Sequence, residues 1–114
     1  MQKNTFKVVL VEDNPDLRDD IGFQLRHNNI DITAVADAIE LDEYLSHSVC
    51  DVAIIDLGLP GEDGLSITAR LRKLYPHMGI IILTARGELT TRLSGFEQGT
   101  DIYLVKPVDW RELV

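Results

Sequence analysis

The sequence has few of the features that mark secreted or membrane-spanning chains. Its single cysteine, Cys50, cannot form an intramolecular disulfide, and no apolar run is long enough to cross a bilayer. The first residues lead directly into a short apolar run and show no signal-peptide pattern. These features predict a cytoplasmic protein with no membrane partner.

Basic residues are also scarce. The 114 residues include 11 Lys and Arg against 19 Asp and Glu, which gives a formal net charge of -8. A nucleic-acid backbone requires clustered basic side chains, so this composition argues against direct contact with DNA. Any such contact is predicted to come from another domain, because a chain of this length suits one domain with one core.

What the sequence does contain is a regular alternation of short apolar runs with helical patterns. Most of these runs are nearly continuous, as in strands buried on both faces of a parallel sheet. The second run instead alternates between apolar and polar residues, which indicates a half-exposed or edge strand. The five runs cover residues 6–11, 30–35, 51–55, 79–83 and 101–105.

Helix start and stop signals lie between the apolar runs. Asn14 and Pro15 supply a cap and a first helical residue, and Asp37 with Glu40 resembles a capping box. Other glycines, including Gly64, are interpreted as turn residues. Further helices are predicted over residues 65–74 and 88–98, and a fifth is predicted to begin at Asp109.

This alternation predicts an α/β fold, a doubly wound five-stranded parallel sheet in the flavodoxin-like order 2-1-3-4-5. The last helix would be truncated after about one turn, which is marginal by itself. We therefore expect the native polypeptide to continue past Val114.

The residues that follow the predicted strands carry the chemistry. Ligands of such a sheet bind beyond the carboxyl ends of the strands, near the switch point between strands 1 and 3. Glu12 and Asp13 follow the first strand, Asp56 ends the third, Thr84 ends the fourth, and Lys106 follows the fifth. The fold would gather these side chains at one rim.

Three carboxylates at one rim repel one another, and a divalent cation relieves that repulsion. Oxygen ligands favour Mg²⁺ or a similar hard ion. The Lys106 ammonium and the Thr84 hydroxyl would complete a cage around an incoming phosphoryl group, with Asp56 as the nucleophile that forms an acyl phosphate.

Four motifs occur in order and at suitable spacing. They are Val11-Glu12-Asp13-Asn14, the run DLGLPGEDG over residues 56–64, Leu83-Thr84-Ala85, and the run YLVKP over residues 103–107. Together they resemble the response-regulator receiver domain of two-component systems, closest to its winged-helix transcriptional branch. Each motif alone is weak, whereas all four in register are highly specific.

The resemblance implies a role for each matched residue. It implies that Asp56 is the phosphoacceptor, that Glu12 and Asp13 hold Mg²⁺, and that Gly58 adds a backbone carbonyl to the metal. It further implies a switch hydroxyl at Thr84, a small neighbour at Ala85, a phosphate-pairing Lys106, an inward-turning Tyr103 and a cis peptide bond before Pro107.

The resemblance also implies partners. A sensor histidine kinase would dock on the first helix and donate the phosphoryl group, so the chain would catalyse its own modification without a separate substrate. The face of the fourth helix, fifth strand and fifth helix would then change partners and could form a homodimer. The output would be transcription regulation through a DNA-binding domain beyond Val114.

Some residues depart from the family pattern. Gly58 replaces a larger side chain, and Thr100, Ile102 and Val108 differ from residues common in the winged-helix branch. These departures leave the subfamily and the dimer surface open.

Other interpretations stay open for single residues. Asp56 alone could be a cap, the Glu12-Asp13 pair a solvated loop, and Thr84 a packed strand residue. The three histidines are interpreted as surface residues and Cys50 as a packed thiol.

Two other functions suit a similar fold. A flavin-binding electron carrier requires a hydroxyl- and glycine-rich loop where this chain has Glu12-Asp13-Asn14-Pro15. A haloacid-dehalogenase-like phosphatase requires a second Asp at the position of Gly58.

Overall fold

The computed structural model describes residues 6–57, 59, 61–84 and 100–105. Strands and helices alternate along the chain from residue 7 to residue 84. The elements are β1 (Lys7–Val11), α1 (Pro15–His27), β2 (Asp31–Val35), α2 (Ala38–Leu45), β3 (Val52–Asp56), α3 (Gly64–Leu74), β4 (Gly79–Thr84) and β5 (Ile102–Val105). The helices predicted over residues 88–98 and from Asp109 onward lie outside the described residues.

The strands form one parallel sheet in the order β2-β1-β3-β4-β5. The α/β class and the order β2-β1-β3-β4 confirm the prediction made from the apolar runs. β2 lies at an edge of the sheet, which explains why its run alternates while the run of the central strand β1 is continuous. β5 continues the sheet beyond β4, with Ile81 opposite Ile102 and Thr84 opposite Val105.

Two apolar cores lie on the two faces of this sheet. One contains alternate β1 residues Val8 and Leu10 against Ile21 and Leu25 of α1. The other contains Val9 and Val11 against residues of α2 and α3. Burial on both faces is what produces the continuous apolar runs of β1, β3 and β4. Cys50 belongs to the second core, and burial raises the pKa of its thiol, as suits a packed residue.

The first two helices begin where their capping signals predict. The Asn14 side chain accepts hydrogen bonds from the backbone N–H groups of Asp16 (3.0 Å) and Leu17 (3.1 Å). The Asp37 carboxylate accepts from the backbone N–H of Glu40 at 2.9 Å. In a capping box the Glu40 side chain would accept from the backbone N–H of the cap residue Asp37. It accepts instead from the backbone N–H of Ala36, one residue earlier, so that detail of the prediction was wrong.

The third helix starts one residue earlier than its apolar pattern predicts. Asp63 is its cap and accepts a hydrogen bond from the backbone N–H of Ser66 at 2.9 Å. Gly64 is therefore the first residue of α3, and its interpretation as a turn residue was wrong. Among the described helices, none combines the length and the apolar character needed to span a bilayer.

Candidate functional site

Three carboxylates meet at the carboxyl end of β1 and β3. The two strands are neighbours with Val11 opposite Ile55, so Glu12 after β1 and Asp56 at the end of β3 reach the same level of the sheet. One carboxylate oxygen from each of Glu12, Asp13 and Asp56 lies within 4.8 Å of the other two. The structure thus brings together the three acidic residues that the strand-end pattern predicts.

The three residues differ in their contact with solvent. Glu12 is 1% exposed and Asp56 is 6% exposed, whereas Asp13 is exposed. Carboxylates that are buried close together raise the free energy of the folded state, because each disfavours the ionised form of the others. Their oxygens form the donor set of a hard divalent cation, and Asp13 opens the cluster to solvent. The residues present therefore fit Mg²⁺.

The loop between β1 and α1 holds Glu12 in place. The Glu12 backbone N–H donates to the Val35 carbonyl at the end of β2 (3.0 Å). Its carboxylate oxygen Oε2 accepts from the backbone N–H of Asn14 at 3.1 Å, and the same Asn14 caps α1. The start of the helix and the direction of the Glu12 side chain thus depend on one short loop.

Arg18 also contacts this loop, and the sequence analysis missed it. Its guanidinium Nη1 donates to the backbone carbonyl of Glu12 at 2.9 Å and lies 3.5 Å from that of Asp13. The available signal was an arginine in the second turn of the helix that follows an acidic pair. Such a signal is common on exposed helix faces, and only the folded loop shows that the side chain turns back.

A glycine lies directly behind Asp56. A Cβ atom on Gly64 would lie 3.0 Å from the Asp56 carbonyl oxygen and 3.0 Å from the Leu57 Cα. The backbone of α3 therefore packs against the backbone of the strand end with no room for a side chain. On the other side, the Leu57 N–H donates to the Leu83 carbonyl of β4 at 2.9 Å. Asp56 is held from both sides through its main chain.

The loop from β3 to α3 is fixed by a second arginine. The Arg70 guanidinium donates to both carboxylate oxygens of Glu62, at 2.8 and 3.2 Å, and to Asp42 of α2 at 2.8 Å. The Ser66 hydroxyl also donates to Glu62 at 2.8 Å. The hydrogen bond from Arg70 lowers the pKa of Glu62, and the same bond raises the pKa of Arg70. This network, which the sequence analysis also missed, joins α2 to the loop after Asp56.

Thr84 lies at the same rim, at the end of β4. Asp56 is opposite Leu83 in the strand register, so Thr84 is one residue beyond the level of Asp56, and it is 1% exposed. The other predicted site residues cannot be placed in the same way. Gly58, Ala85, Lys106 and Pro107 lie outside the described residues, as does the side chain of Tyr103, whose backbone belongs to β5.

The geometry gives no support to a flavin carrier. The loop after β1, where such a protein would hold the flavin phosphate, presents the carboxylates of Glu12 and Asp13 to the rim. These charges repel a phosphate in the absence of a metal.

Comparison with protein families gives a match along most of the chain. The sequence profile of the response regulator receiver domain matches residues 8–114. The virulence transcriptional regulatory protein PhoP of Salmonella typhimurium is 38% identical over 108 residues, which are 95% of this chain and 48% of that protein. The chain thus spans about half the length of the curated relatives it matches.

Solved structures show the same architecture. The receiver domain of TorR, the response regulator of a TMAO respiratory system, is similar with a TM-score of 0.88 and 31% identity, covering 95% of this chain and 89% of that one. A putative response regulator from Chloroflexus aurantiacus is similar with a TM-score of 0.90 and 28% identity, covering 96% of this chain and 92% of that one.

Proposed function

This chain belongs to the response regulator receiver family, and we propose on that basis that Asp56 accepts a phosphoryl group from a sensor histidine kinase in a Mg²⁺-dependent reaction. One observation carries the proposal. The buried Asp56 carboxylate ends β3 within 4.8 Å of the carboxylates of Glu12 and Asp13, at the end of the sheet where ligands of this fold bind.

Glu12, Asp13 and Asp56 would hold the Mg²⁺ ion, and family resemblance adds the backbone carbonyl of Gly58. When bound, the ion supplies positive charge that offsets the carboxylates and the phosphoryl oxygens. Glu12 is suited to this role because its backbone N–H is already bonded to Val35 of β2 and its Oε2 to Asn14 of the loop, so little reorganisation is needed on binding.

Asp56 is the nucleophile of the proposed transfer. One of its carboxylate oxygens attacks phosphorus, and an acyl phosphate bond forms as the nitrogen–phosphorus bond of the kinase phosphohistidine breaks. The electron pair of that bond stays on the imidazole nitrogen. Burial of Asp56 limits the access of water to the acyl phosphate. The chain modifies itself in this scheme and has no separate substrate, so it is not an enzyme in the ordinary sense.

Thr84 and Lys106 would recognise the transferred group. The Thr84 hydroxyl is at the correct rim of the sheet to donate to a phosphoryl oxygen, and family resemblance assigns Lys106 to pair with another. Ala85 leaves space beside Thr84, and Pro107 with its preceding cis bond would direct Lys106. Movement of Thr84 onto the phosphoryl group would let Tyr103 turn inward.

The output follows from that movement. We propose that the surface of the fourth helix, β5 and the fifth helix changes partners on phosphorylation and can form a homodimer. In the whole protein a DNA-binding domain beyond this chain would then regulate transcription. The Salmonella relative PhoP is a transcriptional regulatory protein of about twice this length, which supports this output. A cytoplasmic location belongs to the same proposal.

Phosphorylation by a small donor tests the proposal directly. Wild-type chain incubated with acetyl phosphate and Mg²⁺ should gain the mass of one phosphoryl group, and Asp56→Asn should gain none, because the amide is not a nucleophile for this transfer. Asp51→Asn is the matched control. Asp51 precedes the same strand at its other end, where its carboxylate accepts a hydrogen bond from the Lys7 N–H at 2.8 Å, and its variant should be modified like wild type. Equal modification of wild type and Asp56→Asn would contradict the proposal.

A further inference from the structure

The side chain of Arg18 turns back from α1 onto the loop that carries the acidic pair. Arg18 is partly buried, and its Nη1 is 2.9 Å from the Glu12 carbonyl oxygen and 3.5 Å from the Asp13 carbonyl oxygen. Two successive carbonyl groups therefore point toward one guanidinium nitrogen. That arrangement fixes the orientation of the peptide planes on both sides of Asp13.

The hydrogen bond from Arg18 completes the anchoring of Glu12. The N–H of this residue donates to Val35, its carbonyl accepts from Arg18, and its Oε2 accepts from the Asn14 N–H. Both main-chain polar groups and one carboxylate oxygen are thus held by three different elements: β2, α1 and the loop itself. A side chain held in this way keeps its direction in the absence of a ligand.

The positive charge of Arg18 would oppose the binding of a cation at this site. A guanidinium close to an acidic cluster repels a divalent ion, so by charge alone its removal should strengthen metal binding. Loss of the hydrogen bonds would free the loop and weaken metal binding, since partners that orient metal ligands commonly contribute 10- to 100-fold in affinity. The two effects differ in sign, which makes the role of Arg18 measurable.

We propose that Arg18 is a positioning residue for Glu12 and Asp13, and that its hydrogen bonds to their carbonyls strengthen divalent-cation binding more than its charge weakens it. The inference rests on the proposed function, because it concerns the same acidic site. An arginine suits the task better than a lysine would. Its long, planar guanidinium can reach back from the helix and present fixed N–H directions to the two carbonyls.

The test measures the Mg²⁺ dissociation constant of the full chain by isothermal titration calorimetry. Arg18→Met, which removes both the charge and the donor, should bind Mg²⁺ about 10-fold more weakly than wild type. Arg18→Lys keeps the charge that repels the ion, and its shorter side chain keeps at most part of the hydrogen bonding, so it should also bind Mg²⁺ more weakly than wild type. Arg26→Met is the matched control, since it removes the same charge from an exposed position in the last turn of α1. Its affinity should equal that of wild type or slightly exceed it.

The outcomes separate this inference from the proposed function. If wild type binds no Mg²⁺, the proposed metal site is wrong and Arg18 loses its role with it. If wild type binds Mg²⁺ and Arg18→Met binds it as tightly or more tightly, only the inference is overturned. Far-UV circular dichroism shows whether each variant is folded. If Arg18→Met is unfolded, Arg18→Lys decides: weaker binding than wild type supports the inference, and equal or tighter binding overturns it.

Discussion

The two ends of the parallel sheet use acidic residues in opposite ways. At the amino end, Asp51 and Asp101 each accept a hydrogen bond from a backbone N–H at the start of a neighbouring strand, Lys7 and Ile80 respectively, both at 2.8 Å. Asp101 also accepts from Arg72 at 2.6 Å. At the carboxyl end, three carboxylates lie together, with one oxygen of each within 4.8 Å of the other two.

This difference separates acids that stabilise the fold from acids that are arranged to bind a ligand. In the amino-acid sequence both kinds look alike, since each is an Asp or Glu beside an apolar run. At the amino end, donors from the chain itself compensate the negative charge. At the carboxyl end, three carboxylates lie close enough to repel one another, and a bound cation would relieve that repulsion.

The largest effect on stability is expected at the amino end. Asp101→Ala should lower the free energy of unfolding by about 1–2 kcal/mol, because it removes an acceptor from the Ile80 N–H and from the Arg72 guanidinium. Arg72 itself donates to the carbonyls of Pro76 and Met78, so the loss also loosens the turn before β4. Urea unfolding in the absence of metal measures the change.

Asp101→Asn is the control for that substitution. It keeps an oxygen acceptor for the Ile80 N–H and loses only the charge, so it should cost less than the alanine variant. If Asp101→Ala cost no more stability than a substitution at a fully exposed position, Asp101 would not support the fold and the contrast between the two ends of the sheet would be wrong.

The opposite sign is expected at the carboxyl end. Asp13→Asn should raise the free energy of unfolding of the metal-free chain by about 0.5–1 kcal/mol, since it removes one of three repelling charges from an exposed position where solvent screens part of the effect. The gain should shrink as salt is added. Saturating Mg²⁺ should stabilise wild type more than the variant, because the folded wild type binds the ion more tightly.

Asp19→Asn serves as the matched variant for Asp13. It removes the same charge from an exposed position on α1, outside the three-carboxylate cluster. Its effect on stability should be smaller than that of Asp13→Asn and insensitive to Mg²⁺. If the metal-free chain became less stable on changing Asp13, the carboxylates would not be repelling one another.

The acidic cluster could be predicted from the sequence because only the order of the parallel strands is needed to predict it. The carboxyl ends of adjacent parallel strands meet at one edge, so Glu12 and Asp56 had to approach once β1 and β3 were recognised as neighbours. The caps of α1 and α2 are equally local, since Asn14 and Asp37 contact N–H groups two or three residues away. Local signals and strand order therefore carry most of the fold.

The arginine contacts could not be predicted in this way. Arg70 reaches Asp42, 28 residues away, and Arg72 reaches Asp101, 29 residues away. Which carboxylate a long side chain selects depends on the distance between packed elements, and a single sequence does not contain that distance. Gly64 was missed for the same reason. Nothing local shows that the backbone of Asp56 and Leu57 would lie 3.0 Å from the position of its Cβ.

The smallest effect is expected for Glu62, a carboxylate near the functional rim that is paired with Arg70. Arg70 lowers the pKa of Glu62 from its ordinary value of 4.5, so the ion pair stabilises the fold above that pH. The stabilisation is lost as the pH falls through the depressed pKa of the folded state. Arg70→Met should therefore be less stable than wild type by about 0.5 kcal/mol at neutral pH, a small value because both side chains are about one-third exposed.

The pH dependence of stability tests whether the contribution of Glu62 to the fold is set by its place near the rim or by its partner Arg70. Glu62 lies in the loop after β3, the strand that Asp56 ends. Its hydrogen bonds from Arg70 nevertheless resemble the one that Asp101 accepts from Arg72 at the amino end. If the partner is decisive, the stability difference between wild type and Arg70→Met should vanish well below pH 4.5 in urea unfolding experiments. Glu43→Gln, which breaks the exposed pair with His47, should change stability little at any pH. A difference for Arg70→Met that stays constant with pH would instead assign the effect of Arg70 to packing of its side chain.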